Sequence, residues 1–253
     1  MMNHADWMNE SKSIDKLDVW IGFLLKDSFY IGDPNDHAQL GDPAFRQPLA
    51  LPDFLPPSER EASSASVAGH ELALAEYYKR LVEQAAQCNK EFDEISYCFW
   101  MRMELRNEEE DVSVSFPWYD TLSEMRGFIE WLEDAPDSET FCDVEQGWQL
   151  DGYLREELVY LLETNPDAKD DKTQRINVVT PRAALLDAAK QAEGQTTQII
   201  ARLTEELGAD VWTYYRRGVR FGTATWQPGY APAPAPVPAP RSLKQRLAQW
   251  FKR

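Results

Sequence analysis

Histidine is scarce in this chain, with three among 253 residues, and the usual zinc-binding patterns are missing altogether. The three histidines, His4, His37 and His70, are dispersed, and neither Cys-x-x-Cys nor His-Glu-x-x-His occurs. Structural and catalytic zinc sites draw their ligands from closely spaced histidines and cysteines. The sequence therefore argues against a zinc site.

Cysteine is equally scarce, and Cys88, Cys98 and Cys142 are odd in number and widely spaced. This usage is typical of a reducing compartment and argues against a disulfide framework. Residues 1–17 lack the features of a signal peptide, and the apolar run at residues 19–25 is too short to cross a bilayer. We therefore expect a cytoplasmic protein.

Recognisable catalytic motifs are missing as well. The chain contains no Gly-x-Ser-x-Gly nucleophile motif and neither of the two common glycine-rich phosphate loops. None of the cysteines sits in a known active-site motif, and a structural role for Cys98 is favoured over a reactive one. We therefore expect a protein that is not an enzyme and that carries no cofactor.

Basic residues are few relative to acidic ones: the chain has 26 Lys and Arg and 43 Asp and Glu, which gives a net charge of −17. Direct nucleic-acid binding is disfavoured, since the phosphate backbone requires Lys and Arg to replace its counterions. Residues 104–163 hold 18 acidic residues against three arginines, and so carry −15 of this charge. The same block contains nine aromatic residues, enough apolar surface to fold. It predicts a folded, negatively charged surface that attracts cationic partners.

Apolar periodicity predicts an α+β fold, in which an antiparallel sheet packs with helices. Alternation over residues 94–105 and again over 112–116 predicts a β-hairpin with its turn at 107–111. Residues 154–162 fit a helix or a strand, and the strand is favoured. Thr121, with Glu124, and Thr180 are expected to cap helices. The other strands are expected at 19–25, 140–153 and 176–179, and the helices at 67–88, 121–135 and 180–207.

Composition divides the chain into four parts. We expect a flexible N-terminus at 1–17, an acidic α+β domain at 18–227, an Ala/Pro linker at 228–240 and a basic amphipathic tail at 241–253. Within the domain, the proline-rich residues 37–66 predict a long irregular segment over the core. The alternating Ala and Pro of the linker are typical of an extended, semi-rigid spacer.

The tail places four apolar side chains on one side of a predicted helix. It has three interpretations: it docks in a partner's groove, it ends the chain as a marginal helix, or it lies on an anionic membrane. The membrane is the least favoured, because a short segment with five charges binds it weakly. The apolar side chains are Leu243, Leu247, Trp250 and Phe251.

The predicted hairpin turn carries the densest negative charge, in Glu108, Glu109, Glu110 and Asp111. Such a surface, with Trp118 and Trp131 as aromatic anchors, could occupy the cationic substrate groove of a nuclease. Three alternatives remain. The run can be a solvated turn, it can hold Mg²⁺ or Ca²⁺ in a hydrolytic site, or the charge can serve solubility alone.

The sequence Asp-Val-Glu-Gln-Gly-Trp-Gln-Leu at residues 143–150 resembles bacterial polymorphic-toxin immunity proteins. In several of these families, a strand of the form acid-x-x-Gln-Gly-Trp follows a helix. The resemblance covers residues 20–226 and is nearest to the kind paired with restriction-endonuclease-like toxins, including those of type VI secretion. The spacing of Ile200, Leu203, Leu207 and Trp212 would fit the final helix of such a domain.

The resemblance implies an immunity protein that binds and neutralises a cognate toxin with a cationic surface. The expected toxin is a nuclease, occluded at its active site by the acidic surface. Two other hypotheses remain open at this stage. One is a metal-dependent hydrolase that uses a carboxylate cluster, and the other is a non-catalytic adaptor that uses its C-terminal tail.

Overall fold

The structure is a computed structural model that describes residues 7–33, 36, 39, 41–56, 59–145, 147–165, 174–219 and 221. The chain divides into a compact unit at 1–221 and a second unit at 222–253. The predicted linker and tail, with Leu243, Leu247, Trp250 and Phe251, lie outside the described residues.

The first unit mixes strands with helices, which confirms the predicted α+β class. Two short 3₁₀ helices, Pro43–Phe45 and Ser96–Phe99, accompany the longer elements. In chain order the elements are β1 (Lys12–Ser13), β2 (Asp18–Leu24), β3 (Ser28–Tyr30), β4 (Arg46–Pro48), β5 (Glu61–Ser63), α1 (Ser64–Val67), α2 (Glu71–Gln87), α3 (Phe92–Ile95), β6 (Met101–Asn107), β7 (Val112–Ser115), α4 (Leu122–Asp134), β8 (Thr140–Glu145), β9 (Trp148–Arg155), β10 (Leu158–Asn165), β11 (Gln174–Pro181) and α5 (Arg182–Leu207).

The strands form two larger sheets and one small one. A five-stranded sheet has the order β1-β11-β10-β9-β8, in which β1 and β11 run parallel and the other neighbours antiparallel. A four-stranded antiparallel sheet has the order β5-β2-β6-β7. Strands β3 and β4 pair separately. None of the described helices combines the length and apolar character that a membrane span requires.

The core lies where apolar strand faces meet the helices. Because side chains alternate along a strand, Met101, Met103 and Leu105 of β6 are all fully buried, while Arg102 and Glu104 face the other way. Helix α5 buries one apolar side, including Leu185 and Leu203, and packs on β2 and α2. Nearly all of the buried hydrophobic residues form one continuous cluster.

The N-terminal segment was expected to be flexible, and from residue 7 onward this prediction is wrong. Lys12 and Ser13 form β1 and pair with Val178 and Val179 of β11. Ile14 is also fully buried. A polar two-residue strand leaves no periodic signal, so the sequence alone could not reveal this pairing.

The strand predicted at 94–105 begins only at Met101. Residues Phe92–Ile95 form α3, which opens with a capping box between Glu91 and Glu94, and the 3₁₀ helix follows. Phe92, Ile95 and Phe99 are spaced by three and four, so they share one helical face and are buried together. The alternation in this half of the segment was coincidental.

The strand predicted at 140–153 is in fact a hairpin. Gly147 adopts φ of 93°, in the left-handed region, and turns the chain between β8 and β9. The strand favoured over a helix at 154–162 is confirmed for residues 158–162, which belong to β10. Residues 154 and 155 end β9, and Glu156 and Glu157, both also at positive φ, form the turn between the two strands.

The helix starts differ from their predictions in detail. The helix predicted at 67–88 begins at Glu71, after Gly69 with φ of 83°. Thr121 stands at the N-cap of α4 but its side chain makes no capping bond, so the expected capping box is not formed. Thr180 belongs to β11 rather than capping α5. Gly208, at φ of 77°, ends α5 as expected.

Candidate functional site

The acidic hairpin tip, Glu108 to Asp111, connects β6 to β7, and all four of its side chains are exposed. Asn107 fixes its base, because Oδ1 accepts the Glu110 N–H at 2.8 Å. The Asn107 Nδ2 donates to the Lys16 carbonyl at 2.9 Å, which ties the hairpin to the N-terminal segment. The tip is therefore anchored at its base by hydrogen bonds.

Charge at the hairpin tip is only partly compensated. Lys12 Nζ lies 3.0 Å from Glu110 Oε2 and also donates to the Glu110 carbonyl at 2.9 Å. For Glu108, Glu109 and Asp111, neither an ion pair nor a side-chain hydrogen bond is found within the described part of the chain. Three solvated carboxylates thus stand together, with an outward field that attracts cations.

The outer face of the four-stranded sheet carries a charged network centred on Arg102. Arg102 Nη2 lies 2.6 Å from Glu61 Oε1, and the Tyr119 hydroxyl donates to the same carboxylate oxygen. The guanidinium carbon lies 4.5 Å from the centroid of the Tyr119 ring and 5.9 Å from that of Trp148. We name this network the acid–aromatic patch, defined by Glu61, Arg102, Glu104, Tyr119, Trp148 and Glu163.

The neighbouring arginine is held in the same way. Arg106 pairs with Glu104, which also accepts a hydrogen bond from the Ser113 hydroxyl. The Arg106 guanidinium carbon lies 4.4 Å from the centroid of the Trp20 ring. Both arginines on this face are thus engaged by internal carboxylates and aromatic rings, which fixes their side chains in place.

Glu163 links the two large sheets. It is 9% exposed, and its carboxylate accepts the Ser115 N–H of β7 at 2.9 Å and the Trp148 Nε1–H at 3.1 Å. Burial raises the pKa of this carboxyl group, while the two hydrogen bonds and Arg102 oppose the rise. The patch therefore contains an acid that binds its proton more tightly than an exposed glutamate.

Replacing Glu163 with Gln should remove a pH-dependent loss of stability. A raised folded-state pKa means that, above the ordinary value of 4.5, the folded chain retains a proton that the unfolded chain releases. The free energy of unfolding therefore falls as pH rises through the raised pKa, and the Gln variant lacks this fall. Urea denaturation from about pH 4 to neutral pH measures this. The free energy of unfolding of the variant, relative to that of the wild type, should increase as pH rises.

The matched control for Glu163 is Glu130→Gln, which removes an exposed carboxylate from α4. Its stability relative to the wild type should show no such rise with pH. A Glu163→Gln difference that stays constant across the pH series would show that the buried carboxyl group does not titrate differently in the folded chain.

The two predicted aromatic anchors lie in different surroundings. Trp118 is half-buried, and its Nε1–H donates to the carbonyl of Val144 in β8. Trp131 is 7% exposed, with its ring centroid 5.7 Å from that of Phe128 in the core. Trp118 can therefore meet a partner at its exposed edge, whereas Trp131 is not part of the accessible surface.

Several patch residues carry no signal that identifies them from sequence. Glu61 and Arg102 are 41 positions apart, so their ion pair depends on the pairing of β5, β2 and β6. The Arg-Glu-Arg alternation at 102, 104 and 106 could have indicated a charged sheet face. Trp148 belongs to the motif at residues 143–150, but the local sequence does not indicate that it lies beside Arg102.

Within the described ranges, no group of three or more His, Cys, Asp or Glu side chains is arranged to hold a metal ion. The geometry at the hairpin tip thus adds no support to the metal-dependent alternative. Comparisons with protein-family models, with curated proteins and with solved structures find no match to this chain. Its function is therefore inferred from the residues of the site.

Proposed function

We propose that this chain is a cytoplasmic immunity protein that binds a cognate toxin and occludes its cationic active site without catalysis. A nuclease is the class of toxin that such a surface fits. The observation that carries the proposal is the hairpin tip, where Glu108, Glu109 and Asp111 are exposed and lack a cationic partner among the described residues.

Charge complementarity supports a nuclease as the target. A nuclease has to attract a phosphate backbone with Lys and Arg, and an acidic protein surface competes for the same side chains. Complementary fields raise the association rate and disfavour wrong partners. Because Asn107 and Lys12 already anchor the base of the tip, less conformational entropy is lost when it binds.

The end of the β6–β7 hairpin opposite the tip, where Met101 pairs with Asp120, supplies aromatic contacts. Trp118, Tyr119 and Trp148 are each partly exposed. Aromatic side chains that are held in place lose little entropy on binding and are enriched among energetically dominant interface residues. The motif at 143–150 that resembles immunity proteins lies at the turn end of the β8–β9 hairpin and contributes Trp148 to the acid–aromatic patch.

Co-purification tests the proposal. The tagged full-length chain is co-expressed with the product of the adjacent gene, and the complex is washed at increasing NaCl concentration. We expect a complex at low salt that weakens as salt screens the charges. Failure to form a complex at low salt, or a complex indifferent to salt, would overturn the proposed electrostatic mode of binding.

A further inference from the structure

A groove of about 540 Å³ lies between the start of β2, the start of α1 and the first half of α5. Small residues line much of it, and so does Trp20, whose ring centroid lies 4.4 Å from the Arg106 guanidinium carbon. The small lining residues are Ser64, Ala65, Ala184, Ala188 and Ala192. Its walls therefore offer apolar surface with few bulky side chains.

The groove exists because β5 leaves the sheet early. Strand β5 pairs only with Gly22–Leu24 of β2, since Ser63 caps α1 by accepting the Ser66 N–H at 3.1 Å. Among the described residues, the first half of β2 thus has a strand neighbour only in β6. The Leu25 N–H donates to the carbonyl of Arg60, on the side of β2 where β5 lies. Main-chain groups of every second residue in a strand point to the same side. The N–H and C=O of Val19 therefore point to that side too, where β5 is no longer paired with β2.

The rim of the groove is acidic. Asp15, Asp18 and Asp187 line it, and all three are exposed. Lys16 is the one basic residue among the described lining residues, and its Nζ lies 2.6 Å from Asp18 Oδ1. Asp15 and Asp187 have no ion pair within the described chain, so negative charge at the rim remains available.

We propose that this groove is a second docking site, which takes an extended cationic segment of a partner protein. The segment lies along the open side of β2, where the main chain of Val19 offers hydrogen bonds. The methylene stem of a Lys or Arg packs against the small side chains of the groove, such as Ala188, and its charge reaches Asp15 and Asp187. This inference does not depend on the identity of the toxin.

A short capped peptide of alternating lysine and valine is the probe, and its glutamate counterpart is the negative control. In NMR titrations of the full-length chain, the lysine peptide should shift the Val19 amide and the Trp20 indole signals. Asp15→Lys with Asp187→Lys should weaken its binding at least about tenfold. Glu83→Lys with Glu130→Lys, the same charge change at exposed sites on α2 and α4, should leave it nearly unchanged.

A second pair of variants tests the shape of the groove. Ala188→Trp fills it and should abolish peptide binding, whereas Ala201→Trp, at an exposed site on the same helix, should not. Equal binding of the lysine and glutamate peptides, or equal losses in both charge-reversal variants, would overturn the proposal. Should Ala188→Trp fail to fold, the charge-reversal pair still decides, because both aspartates are exposed.

Discussion

Substituting Glu108→Gln, Glu109→Gln and Asp111→Asn is expected to slow association with the toxin by about tenfold to a hundredfold, because steering by the tip is lost. The substitutions preserve side-chain size, and asparagine tolerates the positive φ of 50° at residue 111. Glu110 is left in place because its pairing with Lys12 secures the tip. Stopped-flow measurement at low and high salt gives the association rates. The difference in rate between the wild type and the variant should be smaller at high salt.

The control removes the same three charges elsewhere. Glu83→Gln, Glu130→Gln and Asp134→Asn lie at exposed sites on α2 and α4, with no ion pair in the described part of the chain. If this variant slows association as much as the tip variant, net charge governs the rate. The hairpin tip would then have no particular role.

The largest expected loss of stability comes from a single methyl group. A Cβ added at Gly152 in β9 would lie 2.9 Å from Trp131 Cη2 and 3.1 Å from the Cβ of Phe141. The Trp131 ring has little room to retreat, because Phe128 and Phe141 pack around it at centroid distances of 5.7 and 5.5 Å. Gly152→Ala should therefore lower the free energy of unfolding by about 1–3 kcal/mol.

Gly127→Ala is the matched control for Gly152. Gly127 is exposed within α4, and a Cβ there meets nothing within 4 Å. Because glycine is less favourable than alanine within a helix, the free energy of unfolding of this variant should exceed that of the wild type by about 0.5–1 kcal/mol. Urea denaturation of both variants measures the difference. A Gly152→Ala variant that is as stable as the wild type would show that Trp131 does not limit the space beside Gly152.

The β6–β7 hairpin could be predicted because one of its faces is buried. Because Met101, Met103 and Leu105 are all buried on one face of β6, apolar and polar residues alternate along the strand. The charged residues that follow the strand are then expected in an exposed turn. The tip residues Glu108 and Glu109 accordingly lie at an exposed turn, as the sequence predicts. Local pattern and local structure agree in this part of the chain.

Trp131 shows what local pattern cannot supply. It follows Phe128 by three positions on α4, so it lies beside the apolar face, and sequence alone leaves its exposure undecided. The deciding partner is Gly152, 21 positions away in β9, whose missing side chain provides the space for the indole ring. Local pattern also fails to predict the surroundings of Arg102, because its neighbours Glu61 and Trp148 belong to two different sheets.

Occlusion of the toxin's active site by binding requires one immunity protein for each toxin molecule, and a titration tests this directly. A fixed amount of the adjacent gene's toxin cleaves a labelled nucleic acid while the full-length chain is added in steps. The proposed mechanism predicts that cleavage stops when the two proteins are equimolar and that high salt restores it. Cleavage that persists at excess protein, or that is abolished by far less than one equivalent, would contradict occlusion by binding.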